Sequence, residues 1–199
     1  MADPKTLQFA IVAVDTVLFT FREGRLHVLC IPVTIPPHFL DCRGLPGGLI
    51  APDETAEDAV VRHLSVKGGI KSVAYSEQLH TFSAIDRDPR GRVVAIAYMA
   101  LIPETEADRI APTAKWFFVD ALPKMAYDHE KIIAYAVERL KGKLSYTNIA
   151  YGLLPKEFTL AELLTCYESV LDRKLDKRNF IKKNTPAKTR HRYWQTKRG

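Results

Sequence analysis

Arg43-Gly44-Leu45-Pro46-Gly47-Gly48-Leu49-Ile50-Ala51-Pro52-Asp53-Glu54-Thr55-Ala56-Glu57-Asp58-Ala59-Val60-Val61-Arg62-His63-Leu64-Ser65-Val66-Lys67-Gly68-Gly69-Ile70 is a loop, a helix and a stop in succession. Thr55 and Asp58 have the spacing of a capping box, in which each side chain satisfies the other residue's backbone N–H. The spacing predicts a helix from about Thr55 to Lys67, ended by Gly68-Gly69, since glycine accepts the left-handed backbone of a helix end. The glycines and proline before it predict a loop rather than an element.

Outward from this stretch the pattern is strand-rich. Phe9 to Phe19 is a β-branched and aromatic run with little charge, the mark of a buried strand. Glu23-Gly24 predicts a tight turn into a second strand, Leu26 to Val33. Pro36-Pro37 then enforces an extended stretch. Asp86-Arg87-Asp88-Pro89-Arg90-Gly91 is a turn between two apolar runs, the second being a central strand from Val93 to Leu101. Trp116 to Val119 predicts one more strand. Apolar residues at 133, 136, 137 and 140 predict a helix from Asp128 to Leu140, ended by Gly142, where a domain boundary is placed.

Composition excludes several classes. The 199 residues are 47% hydrophobic and 26% charged, which is ordinary for a globular protein and unlike a disordered or collagenous chain. No apolar run approaches the roughly 18 residues of a membrane helix, and no secretory signal is visible. Cys30, Cys42 and Cys166 are scattered and form no CxxC pair, so reduced thiols and a cytoplasmic location are expected.

Charge divides the chain. Residues 1–140 hold 15 Lys+Arg against 18 Asp+Glu, and residues 141–199 hold 14 against 5. The last 28 residues carry 11 basic and 2 acidic side chains, a block that attracts polyanions. Ahead of it, Thr159 and Glu162 form a second capping box before the stripe Leu160, Leu163, Leu164, Tyr167 and Leu171. After a short turn, Asp176 can cap a basic helix, Lys177-Arg178-Asn179-Phe180-Ile181-Lys182-Lys183. A helix, a turn and a basic helix is the layout of a helix-turn-helix whose second helix enters the major groove. Interleaved basic and aromatic residues from Thr185, including His191, Tyr193 and Trp194, suit a wing along a phosphate backbone.

The segment Gly48 to Ile70 resembles the Nudix box, Gly-x5-Glu-x7-Arg-Glu-apolar-x-Glu-Glu-x-Gly-apolar. Gly48, Glu54, Arg62, Leu64, Gly69 and Ile70 match it. The resemblance implies an α/β (α+β) fold, a Nudix-like α/β/α sandwich, here with a small C-terminal winged-helix domain. It also implies glutamates that bind magnesium beside a diphosphate, but those three positions hold His63, Val66 and Lys67. Valine and lysine offer no oxygen ligand to a hard cation. Glu57 and Asp58 precede positions 66 and 67 by roughly 13 Å of helix at about 1.5 Å per residue. Hydrolysis is therefore expected to be lost, with no catalytic residue, metal or cofactor assigned.

Together the two halves resemble the Nudix-related transcriptional regulators, which include ADP-ribose-responsive repressors of NAD biosynthesis and arabinose-responsive relatives. Val14-Asp15-Thr16-Val17-Leu18-Phe19, the degenerate box, Asp86 to Val94, Leu153 to Leu160 and Leu175-Asp176-Lys177-Arg178-Asn179-Phe180 carry the resemblance. It implies a homodimer that binds double-stranded operator DNA and a small ADP-ribose-like or sugar effector. The expected division is residues 1–142 for the effector and 143–199 for a winged helix-turn-helix with a short wing. Asn179 and Arg178 are candidates for base edges. Lys177, Lys182, Lys183, Lys188, Arg190 and Arg192 are candidates for phosphate. Arg43, Arg62, Arg87 and Arg90 are the candidate effector ligands, the last two expected in a largely solvated turn. The rivals are a divergent Nudix hydrolase acting on ADP-ribose or a related nucleoside diphosphate, and an RNA-binding protein using the basic tail.

Overall fold

Strand β1 (Ile11–Arg22) is buried along most of its length, because both of its faces are covered. The computed structural model describes residues 9–184, and β1 is the centre of its sheet. β1 runs parallel to β6 (Val93–Leu101), in register from Ile11↔Val93 to Phe19↔Leu101. Its far end pairs antiparallel with β2 (Arg25–Ile35) through the Glu23-Gly24 turn, where both residues are left-handed. Its first half pairs instead with the short β4 (Gly47–Leu49), at Ala13, Val14 and Asp15. β3 (Phe39–Gly44) and β7 (Lys115–Phe118) both join β2, and β5 (Tyr75–Phe82) joins β6. The sheet order is β3-β2-β1-β6-β5.

Alternation of side chains across a strand divides the core in two. Val14 and Leu18 of β1, with Tyr98 and Ala100 of β6, face Ala59, Val60 and Leu64 of the helix that begins with α1 (Ala56–His63). Val17, Phe19, Met99 and Leu101 face the other way, against Ile132, Ala136 and Leu140 of α3 (His129–Leu144). The result is the expected α/β/α sandwich. A four-residue helix, α2 (Glu104–Ala107), lies in the connection to β7.

The C-terminal elements are α4 (Leu160–Leu171) and α5 (Lys177–Asn184), preceded by a 3₁₀ turn at Ile149–Gly152. Their buried side chains Leu163, Cys166, Val170 and Phe180 belong to the same apolar cluster as α3 and the sheet. The expected helix end at Gly142 is corrected: α3 continues to Leu144, which is buried and anchors the last turn. Ser145 then closes the helix by donating from its hydroxyl to the Gly142 carbonyl at 2.7 Å. β1 starts later than expected, with Phe9 exposed, and the glycine loop contributes the ends of β3 and β4. The three cysteines are buried free thiols. Among the described residues no helix is long and apolar enough to cross a membrane.

The Thr55 capping box forms as expected. The helix does not stay regular to Lys67, because residues Leu64–Gly68 form a π-turn. Gly69 ends it at φ 78°, and a Cβ there would collide with the backbone nitrogen of Ala111. Gly69→Ala is expected to cost roughly 2–4 kcal/mol, the left-handed penalty plus displacement of the 110–111 backbone. A chemical denaturation midpoint shift without a change in slope would confirm it.

Candidate functional site

β1, the β4 turn, the π-turn, the 86–91 loop and the segment before α3 converge on a cleft of about 640 Å³. Its floor is a buried ionic network. Asp15, from the middle of β1, receives Arg87 Nη2 at 3.1 Å and lies 3.4 Å from His129 Nε2. Arg87 also donates to both carboxylate oxygens of Asp128, at 2.8 and 3.2 Å. The peptide N–H of Leu45 donates to His129 Nδ1 at 2.9 Å, tying the glycine loop to α3. Burial raises the Asp15 pKa, but His129 and Arg87 outweigh it and hold the carboxyl below the usual aspartate value.

The box residues build one wall. Glu54 accepts two hydrogen bonds from Arg62, one of them from Nε at 2.8 Å, and one from the Ala51 N–H at 2.7 Å. The Arg62 bonds, with the Ala51 N–H second, bring its pKa down to about 2. Arg62 also reaches the Leu49 carbonyl at 3.0 Å, so it pins the loop to the helix. Glu57 accepts from the Tyr98 hydroxyl at 2.8 Å, and Asp58 is held in the capping box. The three positions that differ from the box, His63, Val66 and Lys67, all line the cleft. Lys67 Nζ donates to the Gly47 carbonyl at 2.6 Å, and His63 Nε2 lies 3.2 Å from the Leu49 carbonyl. Burial lowers the pKa of both side chains.

This wall does not fit magnesium. Among the described residues no group of three or more His, Cys, Asp and Glu could hold a metal ion. The remaining box carboxylates are already hydrogen-bonded to protein groups, and an ammonium stands at the third altered position.

Of the four candidate effector arginines, the structure brings Arg87 and Arg90 to the cleft. Arg43 and Arg62 are not in its lining. Arg43 donates to the Thr113 carbonyl at 3.0 Å and stacks near Phe117. Arg87 is not the solvated turn residue expected from its loop: its side chain is 3% exposed. The reason is that two carboxylates distant in sequence close over it. Arg90 is half exposed and chelated by Asp88 at 2.8 and 3.0 Å. Sequence reasoning missed Asp15, Tyr127 and His129. Tyr127 lies in the left-handed region at φ 54°, packs on Phe39 at 4.4 Å between ring centroids and sits under the Arg90 guanidinium.

Beyond the cleft, α4 and α5 form the expected helix-turn-helix. Asp172 ends α4 in the left-handed conformation. Glu168 then organises the turn, accepting from the Leu175 N–H at 3.0 Å and from Lys174 Nζ at 2.7 Å. Asp176 caps α5 through the Asn179 N–H at 2.7 Å. Phe180 turns inward against Tyr167, and Lys177, Arg178, Asn179, Lys182 and Lys183 are exposed. Lys188, Arg190, Arg192 and the expected wing lie outside the described residues.

Two family models match. The NUDIX domain covers residues 11–136, and the NrtR DNA-binding winged helix domain covers residues 150–189. The chain is 32% identical over 177 residues to the ADPR responsive transcriptional repressor NtrR of Acinetobacter baylyi, covering 85% of this chain and 70% of that one. It is 41% identical over 97 residues to an ADP-ribose pyrophosphatase of Methanocaldococcus jannaschii, covering 48% of this chain and 57% of the relative. The crystal structure of Shewanella oneidensis NrtR superposes with TM-score 0.79 at 34% identity, covering 87% of this chain and 82% of that one. That protein is also known in complex with a 27mer DNA (TM-score 0.76, 33% identity, 86% and 81% covered). Its NUDIX domain is known with ADP ribose (TM-score 0.59, 36% identity, 69% and 93% covered). With a NUDIX core, three altered box positions and a basic helix-turn-helix joined in this order, the chain belongs to the NUDIX family, in the branch that couples the domain to the NrtR DNA-binding winged helix.

Proposed function

We propose that this protein is a transcriptional repressor that binds operator DNA through α5 and releases it in response to ADP-ribose held in the NUDIX cleft. The observation that carries this reading is the pairing of an exposed basic α5 with a ligand-sized cleft that lacks a metal-binding set. A cleft of 640 Å³ lies within the roughly 300–1,000 Å³ of small-molecule sites. Its chemistry suits a nucleoside diphosphate sugar better than a neutral sugar, since Arg90 and Lys67 bring basic groups to its lining. Arg90 serves as the contact arginine and Arg87 as the support beneath it. The working unit is a cytoplasmic homodimer, residues 1–142 reading the effector and 143–199 the DNA, because a two-fold operator requires two recognition helices about one DNA turn apart. A ligand shifts affinity only by preferring one dimer arrangement over another.

Lys177, Lys182 and Lys183 contact phosphate, joined by Lys188, Arg190 and Arg192, while Arg178 and Asn179 meet base edges. The test is an operator titration at two salt concentrations with ADP-ribose, arabinose or neither. Wild type should bind specifically and weaken with salt, and ADP-ribose alone should change its affinity. Lys182→Ala/Lys183→Ala should weaken binding to all sequences and reduce the magnitude of the salt slope by about 4 for the dimer, about one per phosphate contact. Arg178→Ala should instead cost about 1–3 kcal/mol mainly on the operator. Binding that ignores sequence and ligand, together with magnesium-dependent turnover of ADP-ribose, would replace this reading with that of a hydrolase.

A further inference from the structure

The cleft has a peculiarity of charge. Its lining carries three basic side chains, Lys67, Arg87 and Arg90, against two carboxylates, Asp15 and Asp88. With glutamates at 63, 66 and 67 the same lining would carry two cations against five carboxylates, and a diphosphate could enter only behind a divalent ion. The side chains actually present reverse that requirement.

The three cations are not equivalent. Arg87 is held by Asp15 and Asp128, and Arg90 is chelated by Asp88. Lys67 makes its hydrogen bond to a neutral acceptor, the Gly47 carbonyl, at 2.6 Å. An ammonium has three donors, so this bond orients Nζ and leaves two N–H groups for a ligand. The glycine turn allows the approach: a Cβ on Gly48 would lie 3.2 Å from Nζ and 2.6 Å from His63 Cε1. Lys67 is exposed along its length, but its Nζ is tethered over the glycine turn, which places its positive charge on the wall of the cleft.

We propose that the Lys67 ammonium stands in for the divalent cation, so that the cleft binds the diphosphate of its ligand directly and without metal. This rests on the effector reading above and adds how the anion is neutralised. Lys67 holds the ligand and moves no proton, so binding is uncoupled from hydrolysis. Val66 offers no donor atom, and His63 offers an imidazole nitrogen, which suits hard magnesium poorly and already lies 3.2 Å from the Leu49 carbonyl.

The experiment is calorimetric titration of the full chain with ADP-ribose, in EDTA and again in millimolar magnesium. Wild-type affinity should agree within about twofold between the two buffers. Lys67→Met should bind about 10- to 100-fold more weakly in both, the effect of removing a charge-assisted hydrogen bond. Its circular dichroism melt and ligand-free operator binding should stay close to wild type. If Lys67→Met does not fold, Lys67→Gln, which keeps a donor and drops the charge, takes its place with the same expectation. Wild-type binding that needs magnesium overturns the inference, and so does undiminished affinity of the folded variant. Absence of ADP-ribose binding in both buffers overturns the effector reading instead.

Discussion

Arg87→Ala should destabilise the protein by about 3–5 kcal/mol, the range for removing one partner from a buried charge cluster. At this chain length that corresponds to a fall in Tm of roughly 6–20 °C. The arginine donates to Asp15 at 3.1 Å and to Asp128 at 2.8 and 3.2 Å, and both carboxylates are largely buried. Without it, one carboxylate in the central strand keeps only His129 as a partner and the other loses two hydrogen bonds. Melts followed by circular dichroism measure the loss. A change below 1 kcal/mol would mean that water reaches the network.

The same network sets an acid limb. Asp15 is depressed in the folded state despite burial, because His129 and Arg87 favour its charge. A depressed carboxyl contributes stability that is present above its unfolded pKa, about 3.9, and is lost as pH falls through the folded value. Wild-type stability should therefore fall off below about pH 4. In Arg87→Ala the decline should begin at a higher pH, since burial is then opposed without the Arg87 charge and hydrogen bond. Arg90→Ala is the contrasting variant. Arg90 is half exposed, but its partner Asp88 is buried and would keep only the Arg90 backbone N–H, so the substitution should cost about 1–3 kcal/mol while weakening ADP-ribose binding.

The second large effect is expected at Phe180→Ala. Phe180 is the buried side chain of α5, meeting the Tyr167 ring edge-on at 5.1 Å and joining the cluster that includes Leu163 and Val170. Truncating a buried phenylalanine costs about 3–5 kcal/mol. An eight-residue helix has little stability of its own in water, so the loss should fall on α5 before the sheet. Operator affinity should drop at least about 100-fold, while ADP-ribose binding changes by less than about threefold. Hydrogen exchange should show rapid exchange confined to α5 and its turn. Equal losses of both activities would mean that the helices and the sheet melt as one unit.

The sequence determined the features that depend on neighbouring residues. The Thr55–Asp58 and Thr159–Glu162 capping boxes, the helix stop at Gly69 and the Asp176 cap all stand where spacing placed them, because each bond spans only a few positions. The altered residues at 63, 66 and 67 were legible for the same reason, since one helix turn brings them to one wall. Even here the π-turn at Leu64–Gly68 was invisible locally. Arg62, expected at the effector, is instead occupied by Glu54 and the Leu49 carbonyl.

What the tertiary structure alone decided is the floor of the cleft. Arg87 sits in a turn of polar residues and looks solvated, yet it is buried by Asp15, 72 residues earlier, and Asp128, 41 residues later. Tyr127 and His129 carry no motif and reach the cleft because α3 packs across the sheet. A side chain's solvation is set by everything that folds over it, and for these residues the covering groups come from strands and helices that only the assembled sheet brings together.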